Sequence, residues 1–154
     1  ASGSQAAGSE GLPPVRGATG LQNLGNTCFM NATVQCMANT PLLREYFLSS
    51  QYLKDVNERG GSCKGRLAEE FGHVVGDLWA GKTTSLIPRN LKRTIDQFAP
   101  QFAGYEQHDA QELLAFLMDG LHEDLNRTVP GSGSGSRSGT AARRDSGTPK
   151  LFLR

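Results

Sequence analysis

One run of residues, from Gly20 to Asn31, places a cysteine where a turn changes into a helix. The residues before Cys28 are rich in glycine and asparagine, which are typical of turns, whereas apolar residues recur at helical spacing after it. A thiol at a helix N-terminus faces unpaired backbone N–H groups and the positive end of the helix dipole, and both favour the thiolate. Because the thiolate is the nucleophilic form, the run predicts a helical segment that begins with a candidate nucleophile.

Apolar residues at helical spacing predict a mainly α fold for the middle of the chain, and no segment shows convincing strand alternation. The predicted helices cover 27–39, 41–46, 65–79, 88–98 and 109–126. Thr40 followed by Pro41 is a typical helix start, and Pro100 ends the fourth helix. Asp109, with Glu112 three residues later, resembles an aspartate version of the capping box at the start of the fifth.

The two ends of the chain differ in composition from its middle. Residues 1–16 are rich in Gly, Ser, Ala and Pro, and residues 128–154 contain a Gly/Ser run without a hydrophobic period. Such segments bury too little apolar surface to offset the entropy of ordering them, so both ends are predicted to be disordered. The foldable part is then 17–127, which suffices for one small domain.

Charge and cysteine usage limit the classes of function. The segment from Thr128 carries five basic residues and one acidic residue, a charge of +4, so a net charge of +1 leaves −3 for the rest. A weakly acidic domain without a clustered basic face is not typical of nucleic-acid binding, and neither a signal peptide nor a membrane-spanning run is present. Three cysteines without disulfide-framework spacing or a CxxC pair predict a cytoplasmic or nuclear protein without a metal or other cofactor.

The residues alone leave two interpretations of the turn open. Cys28 is either a nucleophile or a small buried hydrophobe, the usual fate of a free cysteine. Asn23 precedes it by five residues, so its amide either folds back to donate to an oxyanion or, like Asn26, merely shapes the turn. Cys36 is predicted to be buried and inert in the middle of a helix, and Cys63 to be an exposed thiol in a Gly-Gly-Ser loop.

A thiol nucleophile needs a general base, and no histidine occurs in a context typical of one. His73 is predicted to lie on a helix surface, and His122 near the negative end of the last helix dipole. His108 lies in a polar cluster that can face a ligand. The sequence therefore offers no candidate for the general base.

Two motifs resemble one known family. The run from Gly20 to Asn31, followed by Gln35 and Cys36, resembles the cysteine box of the ubiquitin-specific proteases, which are papain-like cysteine deubiquitinases of peptidase family C19. The run from Tyr105 to Leu114 resembles the family's second box, and Gly120 to Asn126 its usual continuation. The resemblance covers 17–127 and is greatest to multi-domain members with an N-terminal ubiquitin-like module.

The resemblance implies a fold and a set of roles. The family has a papain-like α+β fold with thumb, palm and fingers, and this chain is similar to the helical thumb. Cys28 would be the nucleophile that attacks the carbonyl at the ubiquitin C-terminus, and Asn23 the oxyanion donor. Asp109, with Gln107 beside it, would bind the arginine-rich ubiquitin tail, since a carboxylate can pair with guanidinium bidentately.

The chain departs from the family pattern after residue 127. The family's general base, in a Gly-His-Tyr-like context with a following Asp or Asn, has no counterpart, and neither do the two CxxC pairs that hold zinc. The expectation is therefore the nucleophile-bearing half of a deubiquitinase, truncated and inactive alone, which acts on ubiquitinated proteins only with a C-terminal lobe that supplies His and Asp or Asn. The alternative is a non-catalytic fragment that binds ubiquitin.

Overall fold

Helices make up most of the chain that a computed structural model describes, namely residues 15–59 and 61–126. Two strands of two residues each, β1 (Gly20–Leu21) and β2 (Ser85–Leu86), pair in parallel. The helices are α1 (Cys28–Ala38), α2 (Pro41–Leu48), α3 (Tyr52–Asp55), α4 (Arg66–Trp79), α5 (Arg89–Phe98) and α6 (Ala110–Asp124), with a 3-10 turn at Pro100–Phe102 between α5 and α6.

The predicted mainly helical fold is confirmed. Each of the five predicted helices is present as α1, α2, α4, α5 or α6, with ends that differ from the prediction by at most two residues. Helix α3 and the strand pair were not predicted, because four and two residues are too short to show a period. The ends predicted to be disordered lie outside the described residues except at Val15 and Arg16, where Arg16 Nε donates to the Trp79 carbonyl at 3.1 Å.

Helix α4 is the central element, and it packs against α2, α3, α5 and α6. Its apolar stripe is buried as the spacing predicts, with Leu67, Phe71 and Val75 fully inaccessible to solvent. On the α3 side, a Cβ added at Gly72 would lie 2.5 Å from the Tyr52 ring. A larger residue there would separate the two helices, so this glycine sets their close approach.

A buried carboxylate joins the end of α6 to the start of α4. Asp124 is fully buried, and its side chain accepts hydrogen bonds from the backbone N–H groups of Gly65, Leu67 and Ala68 at 2.9, 3.0 and 3.1 Å. These N–H groups belong to the first turn of α4, where no intrahelical acceptor exists. Asp124 therefore caps a helix that lies more than fifty residues earlier in the sequence.

The elements around Cys28 are fixed by contacts between β1, α1 and α6. Asn31 Nδ2 in α1 donates to the carbonyls of Leu21 and Gln22 at 3.2 and 3.1 Å, which ties the end of β1 to the helix. Helices α1 and α6 pack against each other, and Thr33 Oγ1 reaches the carbonyl of Ala110 at 3.3 Å. The turn before Cys28 is thus held at both of its ends. Within 15–59 and 61–126, no helix has both the length and the apolar character to cross a bilayer.

Candidate active site

Cys28 is the first residue of α1 and is exposed, so the interpretation of Cys28 as a buried hydrophobe is wrong. Thr27 is the N-cap, yet no side chain caps this end of the helix. The first backbone bond of α1 runs from Asn31 N–H to the Thr27 carbonyl at 2.9 Å. The N–H groups before Asn31 in the first turn have no acceptor within the helix. The thiol therefore lies at a helix end that attracts negative charge.

The side chain of Asn23 folds back into the turn from Asn23 to Thr27. Its Oδ1 accepts hydrogen bonds from Gly25 N–H at 3.0 Å, from Thr27 N–H at 2.9 Å and from the Thr27 hydroxyl at 3.1 Å. These bonds fix the plane of the carboxamide through its oxygen. Its Nδ2 has no acceptor among the described residues and is free to donate elsewhere. The turn-shaping and donating roles of Asn23 therefore use different atoms.

The second motif packs against this turn. Asn26 has a positive φ of 52°, and its Nδ2 donates to the Tyr105 carbonyl at 2.8 Å. Gly25 has φ 103°, and a Cβ there would lie 2.9 Å from Tyr105 Cδ1. The two motifs, about eighty residues apart, thus form one site. The sequence predicts only a turn-shaping role for Asn26, because nothing local indicates its distant partner.

Asp109 is the N-cap of α6, as the sequence predicts, and its side chain is exposed. Its Oδ1 accepts from Gln111 N–H at 2.6 Å, whereas a capping box would use the N–H of Glu112. Its Oδ2 has no hydrogen-bond partner in the described part of the chain. Capping and ligand binding therefore need not compete for the same oxygen. Gln107 is also exposed, two residues before Asp109.

All three histidines of the chain are described, and none hydrogen-bonds the Cys28 thiol. The predicted surface position of His73 is confirmed, with a side chain 70% exposed. His122 lies in the last turn of α6. The His108 ring packs edge-on against Phe29 and Phe102, at centroid distances of 5.3 and 5.4 Å. Its Nε2 is buried without a partner, so this ring lies in an aromatic pocket instead of a polar, ligand-facing cluster.

The predictions for the other two cysteines are both wrong. Cys36 is exposed, because it lies about 200° around α1 from the buried Val34. Cys63 is 1% exposed, and its sulfur lies 4.0 Å from the Cβ position of Gly120 in α6. Burial, with smaller contributions from Asp124 and Glu123, raises the pKa of the Cys63 thiol. Cys63 is therefore unsuited to act as a nucleophile, because it is buried and its raised pKa disfavours the thiolate.

We expect iodoacetamide at pH 8 to modify Cys28 and Cys36 readily and Cys63 more slowly, by a factor of about 100 or more. Cys63 is both inaccessible and disfavoured as a thiolate, so it should react only when the structure opens. Mass spectrometry of time points resolves the three sites. Equal rates for all three under native conditions would contradict this assignment, and equal rates in denaturant provide the control.

Comparison with known proteins shows which family the chain is similar to. The sequence model of the family Ubiquitin carboxyl-terminal hydrolase matches residues 19–153. Ubiquitin carboxyl-terminal hydrolase 15 from Homo sapiens is 51% identical over 112 residues, which are 72% of this chain and 11% of that protein. Ubiquitin carboxyl-terminal hydrolase 32 from Homo sapiens is 50% identical over 117 residues, which are 75% of this chain and 7% of that protein.

The chain thus spans about a tenth of the length of these relatives. A solved structure, the SAGA Ubp8/Sgf11/Sus1/Sgf73 DUB module bound to ubiquitin aldehyde, is similar in fold, with a TM-score of 0.62 and 21% sequence identity. The similarity covers 83% of this chain and 29% of the matched chain. The match across most of the sequence and the identity to its relatives show that the chain belongs to the ubiquitin carboxyl-terminal hydrolase family.

Proposed function

We propose that this chain is the nucleophile-bearing lobe of a cysteine-type deubiquitinase that hydrolyses isopeptide bonds between ubiquitin and lysine. The observation that carries the proposal is an exposed thiol at the start of α1, directly after a turn in which three hydrogen bonds hold the Asn23 carboxamide in place. A nucleophile at a helix N-terminus with a fixed amide donor is what acyl transfer requires. Three free cysteines fit a cytoplasmic or nuclear protein.

Each group in the turn acts at one step of the proposed reaction. The Cys28 thiolate adds to the carbonyl carbon at the ubiquitin C-terminus, and the π electrons move to the oxygen. Asn23 Nδ2 and the backbone N–H groups at the start of α1 donate to that oxyanion. When the carbonyl re-forms, the C–N bond breaks and the lysine amine leaves with a proton. Water then hydrolyses the thioester and releases ubiquitin.

The proton transfers need a general base that the three histidines do not supply. His108 lies in the aromatic pocket, and neither His73 nor His122 contacts the thiol. The proposal therefore assigns the base, with an orienting Asp or Asn, to a second lobe. Without it, turnover by this chain should be slower than in intact relatives by several orders of magnitude.

The test is covalent labelling by ubiquitin that carries a C-terminal electrophile. We expect one adduct, at Cys28, which Cys28→Ala abolishes and the matched variant Cys36→Ala leaves unchanged. Both thiols are exposed on the same helix, so this pair separates directed attack from simple accessibility. An adduct at Cys36, or none at all under conditions where iodoacetamide modifies Cys28, would contradict the proposal.

A second candidate function is non-catalytic binding of ubiquitin, and the absence of a contact between any histidine and the Cys28 thiol favours it. Ubiquitin should then bind saturably, with the free Oδ2 of Asp109 and the neighbouring Gln107 contacting its arginine-rich tail. Binding without any Cys28 adduct would favour this function over the first.

We expect Asp109→Asn to weaken ubiquitin binding about tenfold, because it removes the charge that pairs with guanidinium. The variant retains an oxygen that can cap α6, so the helix should persist. Titration by fluorescence anisotropy measures the change, and Asp119→Asn, at an exposed acid of the same helix, is the control. If both variants bind like the wild type, Asp109 does not contact the tail.

A further inference from the structure

A recess of about 440 Å³ lies between α5 and the turn that precedes Cys28. Helix α5 contributes four charged side chains, and the opposite wall is apolar and aromatic; the lining includes Arg89, Lys92, Arg93, Asp96, Leu24 and Tyr105. We call it the α5 recess. No residue role in the proposed function requires this recess.

The α5 recess carries two positive charges that no side chain in the described part of the chain neutralises. Lys92 pairs with Asp96 and also donates to the Phe102 carbonyl at 3.2 Å, so these two residues balance each other. Arg89 and Arg93 are exposed, and neither has an ion pair or a side-chain hydrogen bond among the described residues. Being four residues apart on a helix, they lie on one face with Cβ atoms about 6 Å apart.

The α5 recess is continuous with the candidate active site. Leu24 adjoins Asn23, the proposed oxyanion donor, and its backbone N–H donates to Thr27 Oγ1 at 2.9 Å. Tyr105 contacts the same turn through Asn26 and leaves 77% of its surface exposed. A ligand in the recess would therefore touch the turn that holds Cys28.

We propose that the α5 recess binds an acidic peptide segment. Two carboxylates of the segment pair with Arg89 and Arg93, and one of its apolar or aromatic side chains packs against Tyr105 and Leu24. Two guanidinium groups suit carboxylates well because each can donate two parallel hydrogen bonds. In a substrate, this segment would flank the lysine that carries ubiquitin; this part of the proposal rests on the proposed function. The recess would then favour substrates with Asp or Glu near that lysine.

The charge and size of the site favour a peptide over a nucleic acid. An extended phosphate backbone would run beyond the recess and meet a domain whose residues 1–127 carry a net charge of −3, whereas a short acidic segment can stay within the recess. Two cations without a partner among residues 15–59 and 61–126 are also too few for a phosphate-tracking groove. The volume of about 440 Å³ is large enough for a few side chains.

The test is fluorescence anisotropy of a labelled peptide with four Asp or Glu residues beside a lysine, titrated with the full chain. We expect saturable binding that weakens about tenfold in the double variant Arg89→Ala/Arg93→Ala and that falls further as salt is raised. A peptide with Gln and Asn in place of the acids should not bind. Circular dichroism shows whether the variants remain folded.

The matched control is Lys54→Ala/Arg59→Ala, which removes the same charge from exposed residues outside the recess. Equal losses in the two double variants would overturn the proposal, since binding would then reflect net charge alone. Equal binding of a single-stranded oligonucleotide with the same charge would also overturn it. Peptide binding does not require Cys28 chemistry, so the two proposals can fail separately. Cys28 labelling without peptide binding would refute only the proposed role of the α5 recess. Peptide binding without Cys28 labelling would refute only the proposed enzymatic function.

Discussion

Replacement of Asp124 by alanine is expected to lower the free energy of unfolding by about 3 kcal/mol or more. Three backbone N–H groups at the start of α4 would lose their acceptor in a fully buried position. Each unpaired buried donor costs about 1–3 kcal/mol, although water that enters the space can recover part of that cost. The loss is large for a domain whose total stability is about 5–15 kcal/mol. Urea unfolding followed by circular dichroism measures it.

Two further variants identify the cause of this destabilisation. Asp119→Ala removes an exposed acid from the same helix and should change the stability by less than about 0.5 kcal/mol. Asp124→Asn keeps one acceptor oxygen but turns an NH₂ group towards the N–H donors, so its effect should lie between those of the other two. A loss below about 1 kcal/mol in Asp124→Ala would show that the three bonds are replaced by solvent.

The helices could be predicted because their information is local. The stripe of α4, the Thr40–Pro41 start of α2 and the Asp109 cap of α6 all lie within a few residues of the structure they specify. The exposure of Cys36 is also determined locally, although the sequence analysis predicts a buried residue. Its angle from Val34 on a helical projection already places it on the outer face of α1.

Other features depend on contacts that no local pattern shows. Cys63 lies in a loop whose composition indicates exposure, but the loop is covered by α6 at Gly120. The capping of α4 by Asp124 and the bond from Asn26 to Tyr105 join residues 56 or more positions apart. The candidate nucleophile and its turn were therefore predictable from sequence. The surfaces that surround them were not, because packing sets those surfaces.

Replacement of Asn23 by aspartate is expected to weaken the binding of ubiquitin aldehyde by a factor of about 10²–10³, if the chain acts as proposed. The thiolate adds to the aldehyde carbon to give a tetrahedral adduct whose oxygen needs the Asn23 Nδ2 donor. Aspartate retains an oxygen to accept from Gly25 and Thr27 in the turn, so the backbone of the site should persist. Competition against a labelled ubiquitin probe measures the affinity.

The added negative charge must be separated from the lost donor, because a carboxylate near Cys28 also disfavours the thiolate. Alkylation by iodoacetamide forms no oxyanion, so it reports the thiolate alone. Gln22→Glu, at an exposed neighbouring residue, introduces the same charge and leaves Asn23 intact. We expect aldehyde affinity to fall much further than the alkylation rate in Asn23→Asp, and the two to change together in Gln22→Glu. If aldehyde affinity and alkylation rate fall together in both variants, Asn23 only shapes the turn and does not donate to the oxyanion.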